Sequence, residues 1–411
     1  MQQGNFKYER QGNTPLKKLR VLAVLFGLLA LLYTGWEIYW WQIVGYRFVK
    51  WHTHFAFIVI PFALLAAVVY ALFSILLKAY RTNVLLLVLA VGFSLLLAET
   101  IQLVRVEFFE APTYLNLTRV NEKNNYHVWK EDTVHWLDKD EFHYIRYTNH
   151  LGFADSQWVK PKAPNTFRVI SLGDSYTEGD GAPQDSAYPV LLQTILKQPY
   201  PNVEVMNAGT CGSDPFFNFY NLQKRLIDYQ PDVVVQTLSS HDILSDIWLR
   251  GGMERFVNDS TIAVKLNPSL RLFYECSYLF CYIAEKLDRA YLDSKLFETN
   301  TNRQLTELIT NYRQLSNNYG FKIIWVLLPA KFEAVNKVHT YNFSTIKESL
   351  QKINGVPPLD LIPVYQTYAA QHQQPVSSYY WNIDAHHNSQ GYQMMASVIA
   401  DSVIQYLPEN K

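Results

Sequence analysis

The sequence predicts a three-layer α/β/α domain with a mostly parallel sheet, preceded by three transmembrane helices. Two observations carry this. From residue 166 onward, short apolar β-rich runs alternate with stretches of helical apolar spacing, as expected when helices cover a parallel sheet. Before residue 105, three long apolar runs with few charges follow one another. Each approaches the roughly 20 residues a helix needs to cross a bilayer. A chain of 411 residues has room for more than one domain. The expected division is a membrane domain over 1–104, a connecting lead-in over 105–165 and an α/β domain over 166–411.

The first apolar run covers residues 21–36 and continues through Ile38, Tyr39, Trp40 and Trp41 after Glu37. Its aromatic cluster lies where a span should meet the headgroups. The second run covers 55–77, with Pro61 near its start, and the third covers 84–98 and extends to Val104. A cleaved signal peptide fits the first run poorly, because it lacks a small-x-small cleavage site and two further runs follow. Lys7, Arg10, Lys17, Lys18 and Arg20 precede the first run, and Lys78 and Arg81 separate the second from the third. Arg47, Lys50 and Arg105 mark the other side. The positive-inside rule then puts the N-terminus in the cytoplasm and everything after Val104 outside, with a bacterial inner membrane as the expected host. Glu99 is read as reaching the outer interface. Trp51-His52-Thr53-His54 is read as an interfacial loop rather than a metal site.

Residues 105–165 are polar, aromatic and weakly periodic. Within them, 144–153 looks like a strand entering a turn, and 160–164 reads as a spacer. Strands are expected over 167–172, 203–206, 232–238 and 321–328. Helices are expected over 189–197, 217–229, 302–319, 344–353 and 392–407. Residues 251–300 fit this alternation poorly and are read as an insertion near the site. The formal net charge is +0, so there is no electrostatic case for nucleic acid. Neither zinc-like cysteine spacing nor a phosphate-cradling glycine loop occurs, so neither metal nor cofactor is expected. Cys276 and Cys281 fit either a short local disulfide or a free pair.

Gly173-Asp174-Ser175-Tyr176-Thr177-Glu178-Gly179 follows the first expected strand. A serine there lies at the carboxyl edge of a sheet, where α/β folds place chemistry. Equally, Gly, Asp and Ser all favour turns. Near the other end stands Asp384-Ala385-His386-His387-Asn388. An Asp two residues before a His can fix the imidazole tautomer and leave its other nitrogen for a serine. The same stretch fits a polar loop capping the last helix through Asn388 or Ser389.

Four blocks taken together resemble the SGNH/GDSL hydrolase family over roughly residues 166–407. They are Gly173-Asp174-Ser175, Asn207-Ala208-Gly209-Thr210-Cys211-Gly212, Leu238-Ser239-Ser240-His241-Asp242, and His386-x-Asn388-x-x-Gly391-Tyr392. The resemblance implies Ser175 as nucleophile, His386 rather than His387 as base, and Asp384 as its orienting carboxylate. It implies an oxyanion hole from Ser175, Gly212 and the third block. That block has His241 where the family usually has Asn, and Ser239 where it has Gly. His241 would then supply the third donor. The Asp lies two residues before the His, not three, a spacing found in relatives that modify polysaccharides. A nucleophile elbow of the Gly-x-Ser-x-Gly kind is absent, since position 177 is Thr.

The remaining residues of these blocks receive structural readings. Asp174 and Asp242 should bond nearby backbone, Thr177 and Glu178 should shape the turn, and Cys211 should pack. The expected function is a membrane-anchored serine esterase acting on O-acyl esters of envelope glycans. Its expected partners are that substrate and the bilayer, and membrane-protein partners are allowed for. Acyl transfer to a polysaccharide, or a binding module in a membrane assembly, are the alternatives. A lipid-ester hydrolase would need an apolar groove, for which residues 270–292 are the candidate.

Overall fold

The structure, a computed structural model, describes residues 70, 81–108, 129–248, 251–258, 261–262, 277–292 and 294–408. The first two expected spans, apart from Tyr70, lie outside the described residues, as do the 51–54 loop and Cys276. The chain divides into two units, Met1–Val120 with Asn267–Arg289, and Asn121–Leu266 with Ala290–Lys411.

In the first unit the third apolar run forms helix α1 (Arg81–Phe108). Its stretch Leu85–Gln102 is long and apolar enough to cross a membrane. Leu86, Leu87, Val91, Phe93, Leu97 and Ile101 on it are exposed. Glu99 is buried and bonds the start of another helix. It accepts hydrogen bonds from Ser277 Oγ at 2.9 Å and from the backbone N–H groups of Tyr278 and Leu279. These are donors at the start of the helix Tyr278–Leu292, which has no earlier turn to satisfy them.

The second unit begins with an antiparallel hairpin, β1 (Val134–Asp138) and β2 (His143–Tyr147). From residue 129 onward the stretch read as a lead-in is ordered, and it is anchored to the sheet that follows. The sheet contains β3 (Phe167–Gly173), β4 (Val203–Gly209), β5 (Val233–Ser239), β8 (Lys322–Leu328) and the two-residue β9 (Leu359–Asp360). Between β5 and β8 lies a short antiparallel pair, β6 (Phe256–Asn258) and β7 (Thr261–Ile262). The sheet order is β4-β3-β5-β8-β9, and every pairing is parallel. All seven residues of β3 and of β5 are buried, as central strands covered on both faces require. Sequence order reverses between β3 and β5, so a crevice opens beyond their carboxyl ends.

Alternation along the strands sends their side chains to two layers. Val169, Val205, Val233, Val235, Ile324 and Val326 pack into one cluster with helices covering that face. A one-turn helix, α2 (Ser175–Glu178), follows β3, and α3 (Tyr188–Leu196) enters the cluster with Tyr188, Leu192 and Leu196. On the opposite face, α4 (Pro215–Asn221) starts at Asp214, whose carboxylate accepts from Phe216 N and Phe217 N. After the helix Tyr278–Leu292 (α5), α6 (Lys295–Tyr319) brings Tyr312 against this face. Tyr312 stands edge-on to Trp325 and donates to Gln236 Oε1 at 2.6 Å. The expected strands and helices are thus present in three layers. Each fully buried aliphatic side chain among them contributes roughly 1.5–3 kcal/mol.

The chain then forms α7 (Lys331–Asn336), α8 (Ser344–Asn354), α9 (Leu361–Gln371) and α10 (Ser389–Ile404). Asp360 caps α9, accepting from Ile362 N at 3.1 Å, and meets His339 Nε2 at 3.0 Å and Lys347 Nζ at 2.7 Å. Glu333 lies 3.9 Å from the other ring nitrogen of His339. Burial disfavours charge on His339, but Asp360 and Glu333 outweigh it and hold the imidazole up at about 9. Burial likewise opposes the charge on the carboxylates. The His339 contacts, backbone N–H groups and Lys347 bring Glu333 and Asp360 each down to about 2.

Two features tie the lead-in to the sheet. Arg168 of β3, only 1% exposed, donates to the carbonyls of Val159, Lys160 and Tyr229, and pairs with Glu204. Arg146 of β2, also 1% exposed, points from the hairpin into buried Glu178 and reaches Asp180 at 2.9 Å. Removing one partner of such a buried cluster leaves charge without compensation. Arg146→Ala is expected to destabilise the protein by about 3–5 kcal/mol, read by denaturant unfolding. The His339 cluster gives a pH-dependent expectation. Its histidine contribution is complete below 6.5 and is lost as pH rises through about 9. Its carboxylate contributions are complete above 4.5 and are lost as pH falls toward about 2. The melting-temperature difference between wild type and His339→Gln should therefore be largest between pH 4.5 and 6.5 and shrink by pH 10.

Candidate active site

Ser175 is the first residue of α2, directly beyond the carboxyl end of β3. Asp174 caps this turn, its carboxylate accepting from Tyr176 N at 3.0 Å. The Ser175 hydroxyl therefore stands at the β3/β5 switch point, where the crevice opens. His386 meets it from 211 positions away, with Nε2 at 2.8 Å from Ser175 Oγ. The other ring nitrogen, Nδ1, bonds Asp384 Oδ1, and the same carboxylate oxygen accepts from His386 N at 3.4 Å. Asp384, His386 and Ser175 thus form one continuous hydrogen-bonded line. The side chains of Asp384 and His386 are 16% and 23% exposed, so a substrate can reach the imidazole.

The Asp-Ala-His spacing works because of its middle residue. Ala385 adopts φ +67°, the left-handed region rare for residues other than glycine. That turn brings Asp384 back beneath its own second neighbour. Tyr176 secures it, donating from its hydroxyl to Ala385 O at 3.1 Å with its ring 4.8 Å from the His386 ring. On the far side, Trp381 N donates to His386 O at 2.9 Å, and Trp381 Nε1 donates to Gly181 O at 2.6 Å. Asn388 caps α10 by accepting from Gly391 N at 3.0 Å, so one block both closes the loop and starts the helix.

His387 faces the other way and is fully buried. Its Nε2 bonds the Tyr365 hydroxyl at 3.0 Å, and burial first, then neighbouring His386, lowers it to about 3. A ring so placed stays neutral and packed, while its neighbour faces the serine.

The second block forms the opposite wall. Asn207 Oδ1 accepts from Gly209 N at 3.1 Å, and its amide nitrogen donates to Glu178 O at 3.2 Å. A Cβ on Gly209 would lie 2.2 Å from Glu178 N, so only glycine lets β4 approach the Ser175 turn this closely. The Gly173 carbonyl accepts from Thr210 N at 2.9 Å and from Ser213 Oγ at 2.8 Å. Between those two anchors Gly212 takes φ +69°. Cys211 reaches the surface, yet the dense surroundings of its sulfur and the carboxylates Asp180, Glu178 and Asp174 push its thiol up. A thiol held protonated is a poor nucleophile.

The third block is held by its own side chains. Asp242 accepts from Ser239 N at 2.6 Å and Ser239 Oγ at 2.8 Å, and Ser240 Oγ accepts from Tyr341 N at 3.1 Å. His241 lies on the rim, 69% exposed, with Nε2 3.8 Å from Asp246 Oδ2. Burial raises the Asp174 carboxyl, against Tyr176 N, His386 and His241. Burial and repulsion from Asp174 and Asp246 raise Asp242 well above its ordinary value.

From the sequence, Glu178 is expected only to shape the turn. In the structure it accepts from Trp129 Nε1 and Cys211 N, each at 2.6 Å, and pairs with Arg146. Burial raises its carboxyl to about 7 while Arg146 draws it down. Among the described residues, no group of three or more His, Cys, Asp or Glu is arranged to hold a metal ion.

The left-handed Ala385 makes the Asp384–His386 geometry testable. Glycine pays no Cβ penalty there, so Ala385→Gly should keep activity and leave stability equal or higher. Ala385→Val should cost roughly 1–2 kcal/mol and lower the hydrolysis rate, read by thermal unfolding and ester turnover.

A sequence profile of the GDSL-like Lipase/Acylhydrolase family matches residues 171–394. Among solved structures, the chain is similar to a two-domain esterase active on acetylated mannans, 13% identical, covering 60% of this chain and 50% of that one, TM-score 0.36. The chain thus spans about half of that esterase. A lipase/acylhydrolase from Enterococcus faecalis is 17% identical, covering 60% of this chain and 100% of its own, TM-score 0.35. An acetyl xylan esterase is 16% identical, covering 58% of this chain and 100% of its own, TM-score 0.35. Among curated proteins, 68 residues are 37% identical to the probable WRKY transcription factor 26 of Arabidopsis thaliana, 16% of this chain and 19% of that protein. A stretch that short carries no kinship. The family profile, in contrast, spans more than half of the chain: this protein belongs to the GDSL-like lipase/acylhydrolase family.

Proposed function

We propose that this chain is a membrane-anchored serine esterase working outside the cytoplasm on O-acyl esters, acetyl esters foremost, of cell-envelope glycans. The observation that carries the catalytic part is the 2.8 Å contact between Ser175 Oγ and His386 Nε2, continued to Asp384. Ser175 Oγ attacks the ester carbonyl carbon as His386 Nε2 takes its proton. Asp384 holds the tautomer and stabilises the imidazolium. The carbonyl oxygen becomes an oxyanion, held by the N–H groups of Ser175 and Gly212 and by His241 once its ring leaves Asp246. The tetrahedral intermediate collapses, and the C–O bond to the sugar breaks. The sugar alkoxide takes the proton from His386. Water then attacks the acyl-enzyme with His386 as base, releasing the carboxylic acid and restoring Ser175. If a second sugar hydroxyl replaces water, the same site transfers the acyl group.

Membrane attachment is supported by the apolar stretch Leu85–Gln102 and by the two further apolar runs before it. The basic residues Lys7, Arg10, Lys17, Lys18 and Arg20 before the first run support a cytoplasmic N-terminus and, with three spans, an esterase unit outside the cytoplasm. The glycan assignment follows from that location and from the Asp384-x-His386 spacing.

Activity of the purified protein on a small acetyl ester tests the mechanism. Ser175→Ala should lower kcat by roughly 10⁴-fold or more, and a hydrolysis rate equal to wild type would overturn the assignment. His241→Ala should cost roughly 10²–10³-fold if the ring is the third donor. A much smaller loss would take it out of the oxyanion hole. Acetate released from O-acetylated envelope polysaccharide, against none from triacylglycerol, would fix the substrate class.

A further inference from the structure

Outside the stretch that matches the family, the turn joining β1 to β2 reaches the loop that carries Asp384. Glu141 sits in that turn, and its carboxylate accepts three successive backbone N–H groups. Oε1 accepts from Asn382 N at 2.8 Å, and Oε2 accepts from Ile383 N at 2.7 Å and from Asp384 N at 2.8 Å. The turn is closed behind it by Lys139 N donating to Phe142 O at 3.0 Å, and the Phe142 ring lies 5.7 Å from that of Trp381. Lys139 Nζ, on an exposed side chain, stands 3.7 Å from Asp384 Oδ2. From the other side Lys331 Nζ donates to the carbonyls of Trp381 at 2.8 Å and Asn382 at 3.2 Å.

These contacts fix the backbone of 381–384 from two directions. The loop has little regular structure of its own, and Ala385 after it holds an unfavourable φ. Something must therefore hold the Asp384 end so that its Oδ1 meets His386 Nδ1. Desolvation acts to raise the Glu141 carboxyl. The N–H groups of Asp384, Ile383 and Asn382, with Lys331, bring it below its ordinary value, so it stays an anion suited to charge-assisted bonds.

We infer that Glu141 is a positioning residue for this esterase, and that the β1–β2 hairpin is a working part of its active site. The inference rests on the roles of Ser175, His386 and Asp384 proposed above. Glu141 touches no reacting atom. It acts by holding three consecutive N–H groups in place, which aims the Asp384 carboxylate at the imidazole. A displacement of this loop by a fraction of an ångström would leave the fold intact and weaken the base.

The test uses the full-length protein in detergent, labelled over time with a fluorophosphonate probe, together with kcat and KM on a small acetyl ester. Glu141→Gln keeps one accepting oxygen and turns an amide N–H₂ toward the loop, while Glu141→Ala removes every acceptor. The rate constant of labelling, and kcat, should fall roughly 10-fold for Gln and roughly 100-fold for Ala, with KM unchanged. Labelling should still reach the wild-type extent, because the molecules remain folded. A wild-type rate constant with a reduced final extent would mean that Glu141 only supports folding, and overturns the inference. So would wild-type rates in both variants. If Glu141→Ala does not fold, Glu141→Gln decides the matter. Absence of labelling in wild type would overturn the role of Ser175 itself, and this inference with it.

Discussion

The buried Glu178 carboxylate joins three otherwise separate segments around the serine. It shares the single turn of α2 with Ser175. Its oxygens take Trp129 Nε1, the Arg146 guanidinium and Cys211 N, while its own carbonyl accepts from Asn207 Nδ2. One side chain thus links the hairpin, the Ser175 turn and the loop bearing Gly212. A carboxylate in such surroundings is costly unless each lone pair is used. Its placement therefore constrains all three segments together, and shifting any one of them would leave buried charge unpaired.

The imidazole side is held by a different device. Two adjacent histidines are divided by environment. His387 is sealed among Tyr365, Tyr380 and Tyr392. His386 turns to the crevice between Tyr176 and Asp384. The left-handed Ala385 produces this division, since it reverses the chain between the carboxylate and the ring it orients. The unfavourable dihedral persists because Tyr176, Trp381 and Asn388 hold the loop around it.

The hairpin reaches the candidate site from outside the stretch that matches the family. Residues 134–147 precede the stretch that defines the family. They nonetheless send Arg146 to Glu178 of the Ser175 turn and Glu141 to the Asp384 loop. The polar, aromatic texture of residues 105–165 reads as a connector, because a two-stranded hairpin buries only alternate residues of one face. Tyr144 and Arg146 are such residues, and nothing in their spacing tells which acids they will meet.

The sequence by itself determined the parallel sheet, its order of strands and helices, and the serine, aspartate and histidine that converge on one edge. It could do so because apolar period and strand-to-turn transitions are local properties, and because the four blocks each follow a definite element. It also marked the apolar run 84–98, extending to Val104, and the helix formed there is long and apolar enough to cross a membrane over Leu85–Gln102. Only the tertiary structure decided that Glu99 caps a helix 178 positions or more away, that Glu178 pairs with Arg146 32 positions earlier, and that His241 sits on the rim beside Asp246. The physical reason is the same in each case. A charged side chain takes its role from the partner it finds in space, and such partners are set by how the layers pack rather than by the residues beside it in the chain.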